Sequence, residues 1–226
     1  MSAGTTAVAR RRVVDLSLYL VTDTRLCAAI GVPATVAAAV GAGVTIVQVR
    51  DPHADDAELV ALGRAVRAEL AGTGVPLVVN DRWHLVGAIG ADGAHVGQHD
   101  DDPRTVRAAL GPDAILGLSV QEPSHVATAR AGGDDVVDHL GVGPVWDQWV
   151  KPDAAPSIGV EGFRAVAAVS PWPCVAIGGV HAEGAPALRA AGAAGLAVVT
   201  AICGTPDAAA ATRRVRDAWD GAEGVW

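Results

Sequence analysis

Short apolar runs, each closed by polar or glycine-marked turns, alternate along the chain with Ala-rich stretches whose apolar residues recur at helical spacing. The runs predict strands at Leu18–Asp23, Thr45–Arg50, Pro76–Asp81, Gly93–Gly97, Ala114–Val120, His139–Val145, Pro173–Gly179 and Gly195–Ala201. The stretches between them predict helices at Pro33–Val40, Asp55–Ala71, Arg82–Ile89, Pro103–Leu110, Pro123–Ala131, Val160–Val169, Ala182–Ala190 and Pro206–Trp219. Pro33, Pro103, Pro123 and Pro206 suit a first helical turn, where the missing N–H costs nothing. Asp102, just ahead of Pro103, can cap by accepting a backbone N–H.

Eight β-then-α units in 226 residues predict an α/β fold of the (β/α)8 TIM barrel type, a single domain over residues 13–219. An open doubly wound sheet is the alternative, but would usually carry fewer strands at this length. Residues 1–12 and 220–226 read as flexible ends. Half the residues are hydrophobic and only 4% are aromatic, so Ala, Val, Leu and Ile must build the core. That composition fits parallel strands buried on both faces and excludes a disordered chain.

The formal charge is -8, and the longest run of basic residues is Arg10, Arg11 and Arg12. No nucleic-acid partner is expected from that balance, and an anionic substrate would need local cations to hold it. The arginine cluster lacks the apolar stretch of an export signal, and no segment is apolar enough to span a bilayer, so no membrane association is expected. Three cysteines without metal-ligand spacing point to a reduced, cytoplasmic setting. A homo-oligomer is compatible with such a barrel.

Polar residues interrupt the strands mainly at their carboxyl ends, which in a parallel barrel all open on one face. The rim so predicted carries Thr22, Asp23, Gln48, Arg50, Asn80, Asp81, Gln98, Asp100, Ser119 and Lys151. Asp81 and Asp100, on neighbouring strand ends, either cap the helices that follow or face a hard cation such as Mg2+. Arg50 offers a forked donor to a phosphate, or an ion pair to Asp23 or Asp81. Lys151 sits in a loop long enough to reach the rim, or is a solvated surface lysine. Gly178-Gly179, with Val199 and Thr200 on the next strand, occupies the place where such barrels often bind phosphate. His95 reads as a satisfied core or rim histidine and Cys174 as packing. Trp146 and Trp149 either stack on a flat ring or cover the strand 6 loop.

Six short motifs in order resemble the thiamine-phosphate synthase (thiamine-phosphate pyrophosphorylase) family. They are Val47-Gln48-Val49-Arg50-Asp51, Val79-Asn80-Asp81-Arg82, His95 through Asp100, Leu116-Gly117-Leu118-Ser119, Gly141 through Trp146 and Ala176 through Val180. The resemblance implies a transferase that joins a hydroxymethylpyrimidine diphosphate to a thiazole phosphate, giving thiamine phosphate and pyrophosphate. It further implies Mg2+ on Asp81 and Asp100. Gln48, Arg50, Asn80, Ser119 and Lys151 would hold the pyrimidine diphosphate, and Gly179, Val199 and Thr200 the thiazole phosphate. Arg50, Lys151 and Ser119 are the expected catalytic contacts.

The chain departs from the family pattern twice. Pro52, followed by His53, stands where a lysine is usual, and Gln148-Trp149-Val150 replaces a Thr-x-Thr before Lys151. His53 and Gln148 are the expected substitutes. Two other functions are compatible with the barrel: a thiazole tautomerase, and a non-catalytic phosphate-ligand binder or regulator. Gln121 stands where the tautomerases place a histidine, and Asp100 supplies a carboxylate they tend to lack.

Overall fold

The structure, a computed structural model, describes residues 14–151 and 155–221. The predicted end at 1–12, and residues 222–226 of the predicted end at 220–226, lie outside the described residues. Eight parallel strands close into a barrel in simple sequential order: β1 Leu18–Val21, β2 Ile46–Val49, β3 Leu77–Asn80, β4 Gly93–Val96, β5 Ile115–Val120, β6 His139–Val142, β7 Cys174–Ala176 and β8 Gly195–Val198. The strand pairs run from β1–β2 through to β8–β1, so the doubly wound alternative is set aside.

The helices are α1 Val32–Val40, α2 Asp56–Glu69, α3 Val86–Ile89, α4 Pro103–Leu110, α5 Pro123–Arg130, α6 Gly159–Val169, α7 Ala185–Ala190 and α8 Ala208–Asp220. Two begin differently from expectation. Single 3-10 turns, Trp83–Leu85 and Ala182–Gly184, lead into the short α3 and α7. Pro206 lies ahead of α8, where Asp207 is the cap and accepts from the Ala210 N–H. Asp102 caps α4, as expected, by accepting from the Arg104 N–H at 2.8 Å. The helix α8 extends through Asp220, which pairs with Arg216 one turn earlier.

Strand parity divides the buried residues into two sets. Leu18, Leu20, Val47, Val49, Leu77, Val79, Leu116 and Leu140 face the helices and join one large core. Tyr19, Val21, Ile46, Val78, Ile115, Val175 and Ala197 face inward and fill the lumen as a smaller cluster. Both sides of each strand are therefore dry, which is why the strands read as continuous apolar runs. Cys27, Cys174 and Cys203 are buried free thiols. Among the described residues no helix is long and apolar enough to cross a membrane.

Candidate active site

The inward parity that fills the lumen continues upward as a polar layer. Gln48 pairs in register with Val21 and Val78, while Asn80 pairs with His95, His95 with Gly117, Gly117 with His139 and Ser119 with Gly141. The inner face below the rim therefore carries Gln48, Asn80, His95, Ser119 and His139. Two predicted site residues are held from beneath. Gln48 donates from Nε2 to the Tyr19 hydroxyl at 2.9 Å, and Ser119 Oγ lies 2.9 Å from His95 Nε2. Gln98 Nε2 adds a bond to the Ser119 carbonyl at 2.7 Å, tying the β4 and β5 ends together.

Asp81 and Asp100 meet at the ends of β3 and β4. The Asp81 N–H donates to the His95 carbonyl at 2.8 Å, after which the backbone turns out of the strand with φ 57. A non-glycine residue rarely takes that left-handed conformation, and its occurrence here marks a backbone bent to aim a side chain. Asp81 remains open to solvent as a residue, yet its carboxyl is raised to about 6. The causes, largest first, are desolvation, repulsion from Asp100 and a hydrogen bond shared with Asp100; Lys151 and Asn80 oppose them. Neither carboxylate caps a helix. The turn after Asp81 has no side-chain cap, and Asp100 instead accepts from the Gly97 N–H at 2.6 Å. The capping alternative therefore fails for both residues. A cleft of about 350 Å³ opens beside them, lined by Asp81, Arg82, Trp83, His84, His99, Asp100 and Asp101.

The cations approach from other strands. Arg50, just beyond β2, lies 3.9 Å from the Asp23 carboxylate, a long pairing that leaves most of the guanidinium fork free for another anion. Asp23 is buried and also accepts from the Leu26 N–H at 3.0 Å. Arg82 straps this region to β3, donating to the Ala54 carbonyl at 2.8 Å and to that of Asp51. Lys151 is exposed on the loop after β6, and its charge favours the ionised form of Asp81 and disfavours a charged His95.

Thus Gln48, Arg50, Asn80, Asp81, Asp100, Ser119 and Lys151, scattered over a hundred residues of sequence, gather on the rim of β2 to β6. Gly178 and Gly179, with φ 88 and 65, form the turn after β7, and Val199 and Thr200 the turn after β8. This glycine pair is packed from behind. A Cβ on Gly178 would stand 2.4 Å from Pro144 Cβ, and one on Gly179 would stand 2.8 Å from Trp146 Cβ. Trp146 thus serves as cover for the β7 turn, its ring also lying 5.3 Å from that of His181.

The family model for thiamine monophosphate synthase matches residues 18–202, from the first strand to the turn after the last. The chain belongs to this family. It is 46% identical over 202 residues to the thiamine-phosphate synthase of Azorhizobium caulinodans, covering 89% of this chain and 94% of that one. It is 48% identical over 204 residues to that of Xanthobacter autotrophicus, covering 90% and 95%. The thiamine phosphate pyrophosphorylase of Pyrococcus furiosus superposes with a TM-score of 0.82 at 30% identity, covering 93% of this chain and 98% of that one.

Against the thiamine monophosphate synthase pattern, the two departures take definite forms. Pro52 and His53 are exposed in a turn held by Asp51, whose carboxylate accepts from the N–H groups of His53 and Ala54 at 2.9 and 3.2 Å. Gln148 is bonded within its own loop. Its Oε1 accepts from the Lys151 N–H at 2.8 Å and its Nε2 donates to the Lys151 carbonyl at 2.7 Å. One amide hydrogen and one oxygen lone pair stay available beyond these two bonds, which tie Gln148 to the backbone of Lys151. Val150 turns inward and is buried, while Trp149 stays 67% exposed.

Two buried residues of the lumen were not singled out from sequence, Tyr19 and His139. Burial holds His139 down to about 4 and, with its neighbour's help, His95 down to about 3, so both rings are neutral near pH 7.

Proposed function

We propose that this rim catalyses the thiamine-phosphate synthase reaction. The chain is a transferase of thiamine biosynthesis, as its family and relatives show. In the proposed step the C–O bond between the pyrimidine methylene and the diphosphate breaks, and its electron pair leaves with pyrophosphate. The thiazole nitrogen then forms the new C–N bond at the methylene. No side-chain nucleophile is needed, because departure of the diphosphate generates the electrophile.

The observation that carries this reading is the meeting of Asp81 and Asp100 within reach of the Lys151 charge, with Arg50 following the neighbouring strand β2. Two carboxylates that repel at the mouth of a cleft fit a divalent cation held by few protein ligands, its other positions left to water and phosphate oxygen. Among the described residues no group of three or more His, Cys, Asp or Glu forms a fuller metal cage, which suits Mg2+ better than zinc. Asp81 and Asp100 would hold Mg2+, which when bound neutralises charge on the diphosphate. Arg50 and Lys151 stabilise the charge that develops on the departing pyrophosphate. Gln48, Asn80 and Ser119 orient the pyrimidine diphosphate, each from a strand end. The N–H groups of the Gly178-Gly179 turn, with Val199 and Thr200, receive the thiazole phosphate. Three buried free thiols and the biosynthetic role support a cytoplasmic setting for the reaction.

A pyrophosphate-release assay with the two precursors and Mg2+ tests the reading. Release should require both substrates and the metal, with thiamine phosphate as the product. Ligand-induced stabilisation without release above the no-enzyme control would make the chain a binder. Thiazole isomerisation in the absence of any pyrimidine would make it a tautomerase.

A further inference from the structure

Among the described residues, two buried side-chain nitrogens lack a hydrogen-bond partner: Nδ1 of His95 and Nε2 of His139. They are not independent. His95, Gly117 and His139 stand side by side on β4, β5 and β6, and all three positions face the lumen. The two rings lie 5.6 Å apart. A Cβ built on Gly117 would fall 2.2 Å from His95 Nδ1 and 2.5 Å from His139 Nε2, so both nitrogens point into one notch that only glycine leaves open. The other ring nitrogen of His95 already contacts Ser119 Oγ at 2.9 Å.

Hydrogen-bond accounting gives this row a direction. Each neutral imidazole has one N–H and one acceptor nitrogen, and a serine hydroxyl has a single hydrogen to give. A diphosphate at neutral pH presents oxygens that mainly accept. If Ser119 is to bind it, the hydroxyl hydrogen must point outward, and Oγ must then accept from His95 Nε2–H. That choice leaves His95 Nδ1 an acceptor, and the donor facing it across the notch is His139 Nε2–H. The opposite direction would turn the Ser119 hydrogen inward to His95 and spoil its contact with an anion.

We propose that His139 and His95 form a hydrogen-bonded chain that fixes Ser119 as a donor to the diphosphate. The order is His139 Nε2–H to His95 Nδ1, His95 Nε2–H to Ser119 Oγ, and Ser119 O–H outward. The first link closes across the Gly117 notch, either directly or through one water. His95 and His139 are positioning residues, acting on the substrate through Ser119. The inference rests on the proposed contact of Ser119 with the diphosphate, whereas the state of the two rings in the free protein can be read without it.

The decisive measurement is long-range proton–nitrogen correlation on the full chain labelled with 15N-histidine, free of ligand. Signals of the two rings are assigned by their loss in His95→Gln and His139→Gln. Both rings should be neutral and carry their proton on Nε2; a proton on Nδ1 of His95, or a charged ring, overturns the proposal. In the kinetic arm, His139→Phe removes the donor while His139→Gln supplies an amide N–H in its place. The Phe variant should lose about tenfold in kcat, the scale of one neutral hydrogen bond, and Gln should restore most of it. With Ser119→Ala as background, His139→Phe should cost nothing more; losses that multiply would mean His139 acts elsewhere. If the protein shows the expected rings but no pyrophosphate release, the chain stands and the reaction assigned to the rim fails. Should His139→Phe not fold, the ring measurement decides alone.

Discussion

The carboxyl of Asp81 is pushed up to about 6 by desolvation and by facing that of Asp100 across the ends of β3 and β4. The two residues lie nineteen positions apart in sequence, and the parallel register of adjacent strands makes them neighbours. Without a cation the pair repels, offset only in part by Lys151 and Asn80, and the backbone at Asp81 is left-handed. A protein tolerates such strain where function requires it.

Replacing Asp81 with Asn should therefore stabilise the metal-free protein while removing Mg2+-dependent activity. The folded-state value lies above the ordinary 3.8, so the folded protein keeps a proton that the unfolded chain has released. This group's contribution is full below the unfolded value and is lost as pH rises through about 6. At pH ~7.5 the whole penalty is present, on the order of 1 kcal/mol after allowance for solvent screening at the rim. Asn also accepts a positive φ more readily than Asp's bulkier alternatives. Asp81→Asn should melt higher than the parent above pH 6, with the gap closing in acid as Asp81 regains its proton. A lower melting temperature at neutral pH would sink the account.

Arg50 and Lys151 should separate activity from stability. Each alanine variant should lose on the order of 3 kcal/mol of transition-state stabilisation, read as kcat/KM. Arg50→Ala also strips the cation from Asp23, which is buried, so it should cost about 1–3 kcal/mol in chemical denaturation. Lys151→Ala leaves no buried partner behind and should unfold at the parental midpoint. Equal stability losses in the two variants would contradict the Arg50–Asp23 pairing.

The clamp from Gln148 to Lys151 gives a third test. Two hydrogen bonds to the backbone of the very residue that supplies the cation should set where the ammonium sits. Gln148→Ala should lower kcat/KM by about tenfold with no change in melting temperature, since an exposed loop adds little to global stability. Gln148→Glu keeps the acceptor for the Lys151 N–H but loses the donor, and should fall between. If the alanine variant were fully active, Lys151 would be positioned by something else.

All eight strands and all eight helices were legible as alternation of apolar runs, and the rim residues followed from strand direction. The strand ends were less so. The apolar runs predict strands through Asp23, Arg50, Asp81 and Gly179, all of which lie past the strand ends in the structure. Hydropathy does not report where a ladder stops. Taken singly, Asp81 and Asp100 read more readily as helix caps and only the rest of the rim favours a cation, whereas in the structure Arg82 and Asp102 hold the cap positions. The inner polar row was hidden for a different reason. With both faces of every strand buried, period-two alternation is masked, and Tyr19 and His139 read as ordinary core. Counting parity from Gln48, Asn80 and Ser119 around the barrel would have placed His95 and His139 on the same face.

The turn after β7 offers the sharpest separation of packing from binding. Gly179 has φ 65, and a methyl group there would meet the Asp147 carbonyl and Trp146 Cβ, both at 2.8 Å. Gly179→Ala should lose about 2–4 kcal/mol, combining left-handed strain with overpacking. It should also raise KM for the thiazole phosphate, because the N–H groups of the turn cannot keep their direction. Trimming the obstruction tests the cause: a Trp146→Gly background removes the Cβ in contact, so the alanine should cost less there than in the parent. If the two substitutions simply add, the contact with Trp146 Cβ is not what demands glycine, and the positive φ and the Asp147 carbonyl must carry the requirement.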